Sequence, residues 1–192
     1  IKEIVLRTIG GNPRSIKRLV NSVSLIQVFT EKKENARVSL EEDAVEIKID
    51  PEQENLLIFS LLCLQIAYPQ IYSLLTREPD FTKWDDSFAF SETRRKEEDE
   101  EGTFKRELEI AQESDDFDED WEKALFRICY IRPRLKPRAD DISKFLSYLK
   151  SEIKVNDSMS IGDVVASVLS KTSVTSVVST DQGQEILSKG RR

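Results

Sequence analysis

The residue types best suited to chemistry lie in one short stretch near the start of the 192-residue chain. Arg14, Lys17 and Arg18 place three cations within five residues, and Asn12 comes just before them. Cations at the start of a helix add to the partial positive charge of its free backbone N–H groups, and this combination binds phosphate and other anions. We therefore take these four as candidate anion-binding residues, with Arg14 as the first candidate for a direct contact.

A helix must begin within this stretch if the cations are to share one face. Asn12 is a favourable N-cap, and Pro13 falls at the first helical position, where its fixed φ angle helps. The helix is predicted to run from Pro13 to about Thr30, with the cations opposite a buried apolar stripe. That stripe consists of Ile16, Leu19, Val20, Val23 and Ile26. A capped helix with a solvated basic face would need no ligand, and this alternative stays open.

The run from Gly11 to Asn21 reads Gly-Asn-Pro-Arg-Ser-Ile-Lys-Arg-Leu-Val-Asn. It resembles the element that opens the helical lid of KAP-type P-loop NTPases, which are related to AAA+ proteins. The resemblance implies that Arg14 is a sensor arginine that reaches the γ-phosphate of a nucleotide. It also implies ATP and Mg²⁺ as cofactors of a parent protein, held by an upstream nucleotide-binding domain of the same chain.

The sequence does not contain the parts of a self-contained enzyme. It has no P-loop of the form Gly-x-x-x-x-Gly-Lys-[Ser/Thr] and no histidine. Cys63 and Cys129 lie in apolar sequence without metal-ligand spacing, which predicts reduced core residues of a cytoplasmic protein. The alternating aspartates of 116–120 lack the glycine of a calcium loop, so no metal site is expected. Because the chain starts within a helical pattern, we expect a fragment of a longer protein. The resemblance implies that this protein is an ATPase, and without a P-loop the fragment is expected to be non-enzymatic and to bind no cofactor alone.

A second cationic segment, residues 127–138, carries five basic residues around Tyr130. Its candidate contact residues are Arg132, Arg134, Lys136 and Arg138. Basic side chains beside an aromatic ring can bind a nucleic-acid backbone. The alternative to the lid is therefore a helical protein-interaction or nucleic-acid-binding module without a nucleotide role. The stretch 97–120, with thirteen acidic against two basic residues, could instead neutralise this basic segment within the molecule.

The apolar pattern predicts an all-α protein, an irregular helical bundle around a central buried helix at about 56–67 that is apolar on all sides. Residues 1–154 form the predicted helical domain, and its lid-like start spans 10–30. A mobile acidic loop is expected at about 91–120, interrupted by a short helix from 104 to 112. A helix at 40–47 is predicted, with a strand at 45–49 as the alternative.

Beyond Lys154 the composition changes to Ser, Thr and Val, and residues 155–192 are predicted to be an appendage or tail that binds a protein partner. Within it, the stretch from Ser160 to Asp163 is predicted to cap a helix that bears Val164, Val165, Val168 and Leu169. No apolar run approaches the roughly 18 residues of a membrane span, so no membrane contact is expected.

Overall fold

The computed structural model describes residues 1–37, 49–93, 98–113, 117–155 and 159–172. Across these ranges the chain is all α, with no strand, which confirms the predicted fold class. The described helices are α1 (Lys2–Arg7), α2 (Pro13–Arg37), α3 (Pro51–Ala67), α4 (Pro69–Arg77), α5 (Asp86–Thr93), α6 (Glu98–Gln112), α7 (Asp120–Tyr130), α8 (Ala139–Glu152) and α9 (161–172). Two short 3-10 turns, Phe81–Lys83 and Lys136–Arg138, connect neighbouring helices.

Helix α3 lies at the centre of the bundle, as its apolar sequence predicts. Leu57, Leu61, Leu62, Cys63 and Leu64 are each 1% exposed or less. Pro69 cannot continue the helix and instead starts α4, which packs back against α3. The helix is therefore covered by its neighbours along most of its length, and α2 reaches it from one side.

The described part of the predicted appendage packs against the rest of the domain. The four apolar residues of α9 belong to the same core as α3 and α4: Val164, Val165, Val168 and Leu169. Tyr72 and Thr172 share a buried hydroxyl–hydroxyl hydrogen bond of 2.9 Å, and Lys171 forms an ion pair with Glu54. Helix α9 is thus an integral helix of the domain, because burial of its valines outweighs their modest helix propensity. Residues 173–192 lie outside the described residues.

The expected charged loop at about 91–120 contains a longer helix than predicted. Helix α5 extends to Thr93, and α6 begins at Glu98 rather than at Phe104. Residues 98–103 contain no proline, and Thr103 is their one β-branched residue. Three of the six are Glu, which is a good helix former, so the high charge of this stretch does not prevent a helix. Phe104 is buried and fixes α6 against the rings of Phe126 and Tyr130 on α7. The helix at 40–47 and most of its strand alternative lie outside the described residues.

Candidate functional site

The first turn of α2 has the predicted capped geometry. The backbone N–H of Arg14 donates to Asn12 Oδ1 at 3.0 Å, which confirms Asn12 as the N-cap. The chain enters this turn from α1 through Gly10, whose φ of 56° lies in the left-handed region that favours glycine. The Gly10 N–H donates to the carbonyl of Val5 at 2.8 Å. Together these contacts set the direction in which α2 leaves α1.

The cations of this turn are exposed. Arg14, Lys17 and Arg18, here called the α2 cations, all lie on the surface, and no ion pair joins them to any described residue. Their spacing places them on one side of the helix. The first turn of α2 also has no acidic residue that would offset the helix dipole. The α2 cations are therefore available to an external anion.

The apolar stripe of α2 is narrower than the sequence predicts. Leu19 and Ile26 are buried and Val23 is half-buried, but Ile16 and Val20 are 42% and 57% exposed. The reason is that α2 packs mainly against one neighbour, α3, which covers only one strip of its surface. Two apolar side chains consequently lie open to solvent next to the α2 cations.

The second candidate segment is largely engaged within the molecule. Lys136 Nζ lies 2.8 Å from Glu107 of α6 and 4.0 Å from the centre of the Tyr130 ring. The hydrogen bond to Glu107 raises the pKa of Lys136 above its usual range. Arg138 pairs with Asp141 at 3.1 Å. The expected neutralisation of the basic segment by the acidic stretch therefore occurs at Lys136.

The other two arginines of this segment differ from each other. Arg132 is half-buried, and its Nη1 atom is covered without a hydrogen-bond partner in the described part of the chain. Arg134 is exposed. Helix α2 packs mainly on α3, whereas the segment 127–138 packs on α6, α7 and α8.

Arg127 holds a buried position that the sequence did not reveal. Its guanidinium lies 4.3 Å from the centre of the Phe90 ring and 4.0 Å from that of Phe104, and its Nε is 3.4 Å from Asp86. Only 9% of the residue is exposed. These partners come from α5 and α6, far apart in sequence, so no local pattern could have paired them. Arg127 connects three helices and is removed from any phosphate-binding surface.

Neither cysteine is suited to nucleophilic chemistry. Cys63 and Cys129 are both free and buried, as predicted. Burial raises the pKa of Cys63 to about 11 and that of Cys129 to about 12. Their thiols are therefore protonated at neutral pH, and a thiol is a poor nucleophile and metal ligand compared with a thiolate.

The described ranges contain neither a metal-ligand cluster nor a helix that could span a membrane. No cluster of three or more His, Cys, Asp or Glu side chains there could hold a metal ion. None of the helices described is both long and apolar enough to cross a membrane.

No protein family, curated protein sequence or solved structure matches this chain.

Proposed function

We propose that this chain is the C-terminal helical lid or regulatory region of a P-loop ATPase, in which Arg14 contacts the γ-phosphate of the nucleotide. The observation that carries the proposal is the position of Arg14, exposed at a capped helix start and without an ion pair to any described residue. An arginine supplied to a phosphoryl-transfer site stabilises the charge that develops there. Lys17 and Arg18 add positive potential, and Asn12 fixes the turn.

The exposed apolar residues beside the α2 cations support this role. A lid has to contact the domain that it covers, and Ile16 and Val20 offer apolar surface next to Arg14. Contact through these side chains would exclude water from the phosphate, and ion–ion attraction strengthens as water is removed. An exposed apolar pair next to free cations suits a covered anion better than a fully solvated one.

The nucleotide itself is proposed to be held elsewhere. The α2 cations fit phosphate oxygens, but the described residues include no carboxylate cluster for Mg²⁺, and the sequence has no P-loop. ATP and Mg²⁺ would therefore be bound by an upstream nucleotide-binding domain of the parent protein. We assign no ATPase activity to this chain alone. We place the protein in the cytoplasm, where free cysteines such as Cys63 and Cys129 are usual.

The nucleic-acid alternative has weaker support. Two of its four candidate residues, Lys136 and Arg138, are paired with carboxylates of the same chain. A phosphate backbone would have to compete with those carboxylates. The α2 cations face no such competition among the described residues.

The test is ATP turnover by the parent protein carrying Arg14→Ala. We expect a loss of about 10³-fold or more, the range for arginines that act on a transferred phosphoryl group. Arg134→Ala is the matched control, since it removes another exposed arginine, from the segment 127–138. Thermal unfolding of this chain should be unchanged by either substitution. Normal turnover in the Arg14 variant would overturn the proposal.

A further inference from the structure

A groove separate from the α2 cations opens where α2 and α3 meet the ends of α8 and α9. Its volume is about 810 Å³, within the range of specific ligand sites. Apolar side chains contribute from two facing helices, Val23 and Ile26 from α2, and Leu56 and Phe59 from α3. An apolar trough between two helices is the shape that accepts an amphipathic segment.

The rim of this groove is predominantly acidic. Asp50, Glu52, Glu54 and Glu152 lie around it, together with Lys154 and Lys171. Because Lys171 is paired with Glu54, the remaining rim has three carboxylates, Asp50, Glu52 and Glu152, against two ammonium groups, those of Lys154 and of the Ile1 terminus. The carboxylates at the start of α3 also stabilise its helix dipole, but they still present negative charge to an incoming ligand.

A buried amide adds a hydrogen-bonding requirement. Gln53 lines the groove, is only 8% exposed, and its Nε2 has no hydrogen-bond partner among the described residues. A buried donor without a partner costs about 1–3 kcal/mol. Rotation of the terminal amide, a torsion with broad preferences, exchanges Nε2 with Oε1, so Gln53 can present either a donor or an acceptor to the groove. The peptide group of a ligand, which has both a carbonyl oxygen and an N–H, can pair with whichever atom faces it.

We propose that the groove binds a basic amphipathic peptide segment of a partner protein. Its apolar side chains lie on Val23, Ile26, Leu56 and Phe59, and its Lys or Arg side chains face the acidic rim. One of its peptide groups pairs with the side-chain amide of Gln53. The proposal is independent of the nucleotide role of Arg14, which lies outside the described lining of the groove.

The first test measures binding by fluorescence anisotropy. The probes are a labelled peptide of leucine and lysine, about twelve residues long, and its leucine–glutamate counterpart. The full chain should bind the lysine peptide and not the glutamate peptide. Equal binding of both peptides, or of neither, would overturn the proposal.

Matched variants separate groove binding from general attraction to an acidic protein. Glu52→Gln combined with Glu152→Gln should weaken binding by about tenfold, while Glu109→Gln combined with Glu113→Gln should leave it unchanged. The two pairs change the net charge equally, and the second pair lies at the exposed end of α6 and just beyond it. If both double variants lose the same affinity for the lysine peptide, the peptide is attracted by the overall negative charge of the protein and not by the groove, and the proposal is overturned.

Two further measurements address the amide and the occupant. Gln53→Leu keeps the side chain's bulk but removes the amide, so it should weaken binding of the lysine peptide. In the wild-type protein, addition of this peptide should change the NMR chemical shifts of Val23 and Phe59. If the chemical shifts of the groove residues change with protein concentration in the absence of peptide, the occupant of the groove is a second copy of the chain. Tighter binding of a peptide of residues 173–192 would assign it to the chain's own C-terminal segment. Either result would overturn the partner assignment.

Discussion

Arg14 and Asn12 are joined by a hydrogen bond of 3.0 Å, in which the Arg14 backbone N–H donates to the Asn12 side-chain oxygen. The bond satisfies one of the free N–H groups at the start of α2 and fixes the turn from which the Arg14 side chain projects. The cap and the candidate phosphate contact are therefore part of one local structure. Changes at Asn12 should affect Arg14 through the backbone.

Asn12→Ala should destabilise the chain by about 1 kcal/mol, because the cap is lost without a replacement acceptor. Asn12→Ser should recover most of this loss, since serine is a comparable cap. The free energies of unfolding can be measured by urea denaturation of the three proteins. An alanine variant as stable as the wild type would show that this hydrogen bond contributes nothing to folding.

Gly162 of α9 lies close to Asp80. A Cβ atom at Gly162 would lie 2.8 Å from Asp80 Cβ and 3.3 Å from its backbone nitrogen. Gly162→Ala should therefore destabilise the chain by about 1–3 kcal/mol through overpacking. Gly102→Ala is the control, because open space surrounds that position in α6, and it should stabilise by about 0.5–1 kcal/mol. Loss of stability in the control alone would contradict the described packing of α9.

Local signals in the sequence were sufficient for the caps of α2 and α9 and for the central helix, although Asp50, the predicted cap of α3, makes no side-chain capping hydrogen bond. Asn12 caps α2, and at the predicted start of α9 Ser160 and Asp163 exchange hydrogen bonds of 2.8 and 3.2 Å. The buried centre of α3 follows from its all-round apolar sequence. These features depend on residues within a few positions of each other, so periodicity and capping rules can identify them.

Tertiary relationships could not be obtained in the same way. The change to Ser, Thr and Val after Lys154 suggested an appendage, yet the valines of α9 complete the core. The sequence also could not show that α3 covers only one strip of α2 and leaves Val20 exposed. Whether an apolar stripe is buried depends on the neighbour available to cover it. The nucleotide role of Arg14 remains a prediction for the same reason, since its partner would lie in another domain.

Arg127 should be sensitive even to a conservative substitution. Its planar guanidinium lies against both Phe90 and Phe104, and a lysine ammonium cannot stack in this way. Arg127→Lys should cost about 1–2 kcal/mol of unfolding free energy, the scale of desolvated cation–π contacts. The exposed Arg134→Lys should cost little. Equal stabilities of these two variants in thermal denaturation would contradict a structural role for the Phe90 and Phe104 contacts.

Asp80 should make the domain sensitive to acid. Burial acts to raise the pKa of this carboxyl, whereas hydrogen bonds from Lys83 and Thr82 act to lower it. The hydrogen bonds have the larger combined effect, so the net pKa shift is downward. A carboxyl with a lowered folded-state pKa stabilises the protein above its unfolded-state pKa, and that stabilisation is lost as the pH falls through the folded-state value. Stability should therefore drop below about pH 4.

Denaturation between about pH 2 and 6 tests this expectation. Asp80→Asn should flatten the acid side of the stability curve, since the amide does not titrate. Glu109→Gln, at an exposed position of α6, provides the comparison. An acid transition of the same steepness in wild type and Asp80→Asn would exclude this carboxyl as its source.

The most direct test of the proposed phosphate contact is the ratio of ATP to ADP affinity in the parent protein. An arginine that binds the γ-phosphate contributes to ATP binding and not to ADP binding. With a non-hydrolysable ATP analogue, Arg14→Ala should lower the ratio by about tenfold, equivalent to about 1.4 kcal/mol, while the ADP dissociation constant stays the same. An unchanged ratio, or equal losses for both nucleotides, would contradict the assignment of Arg14 to the γ-phosphate.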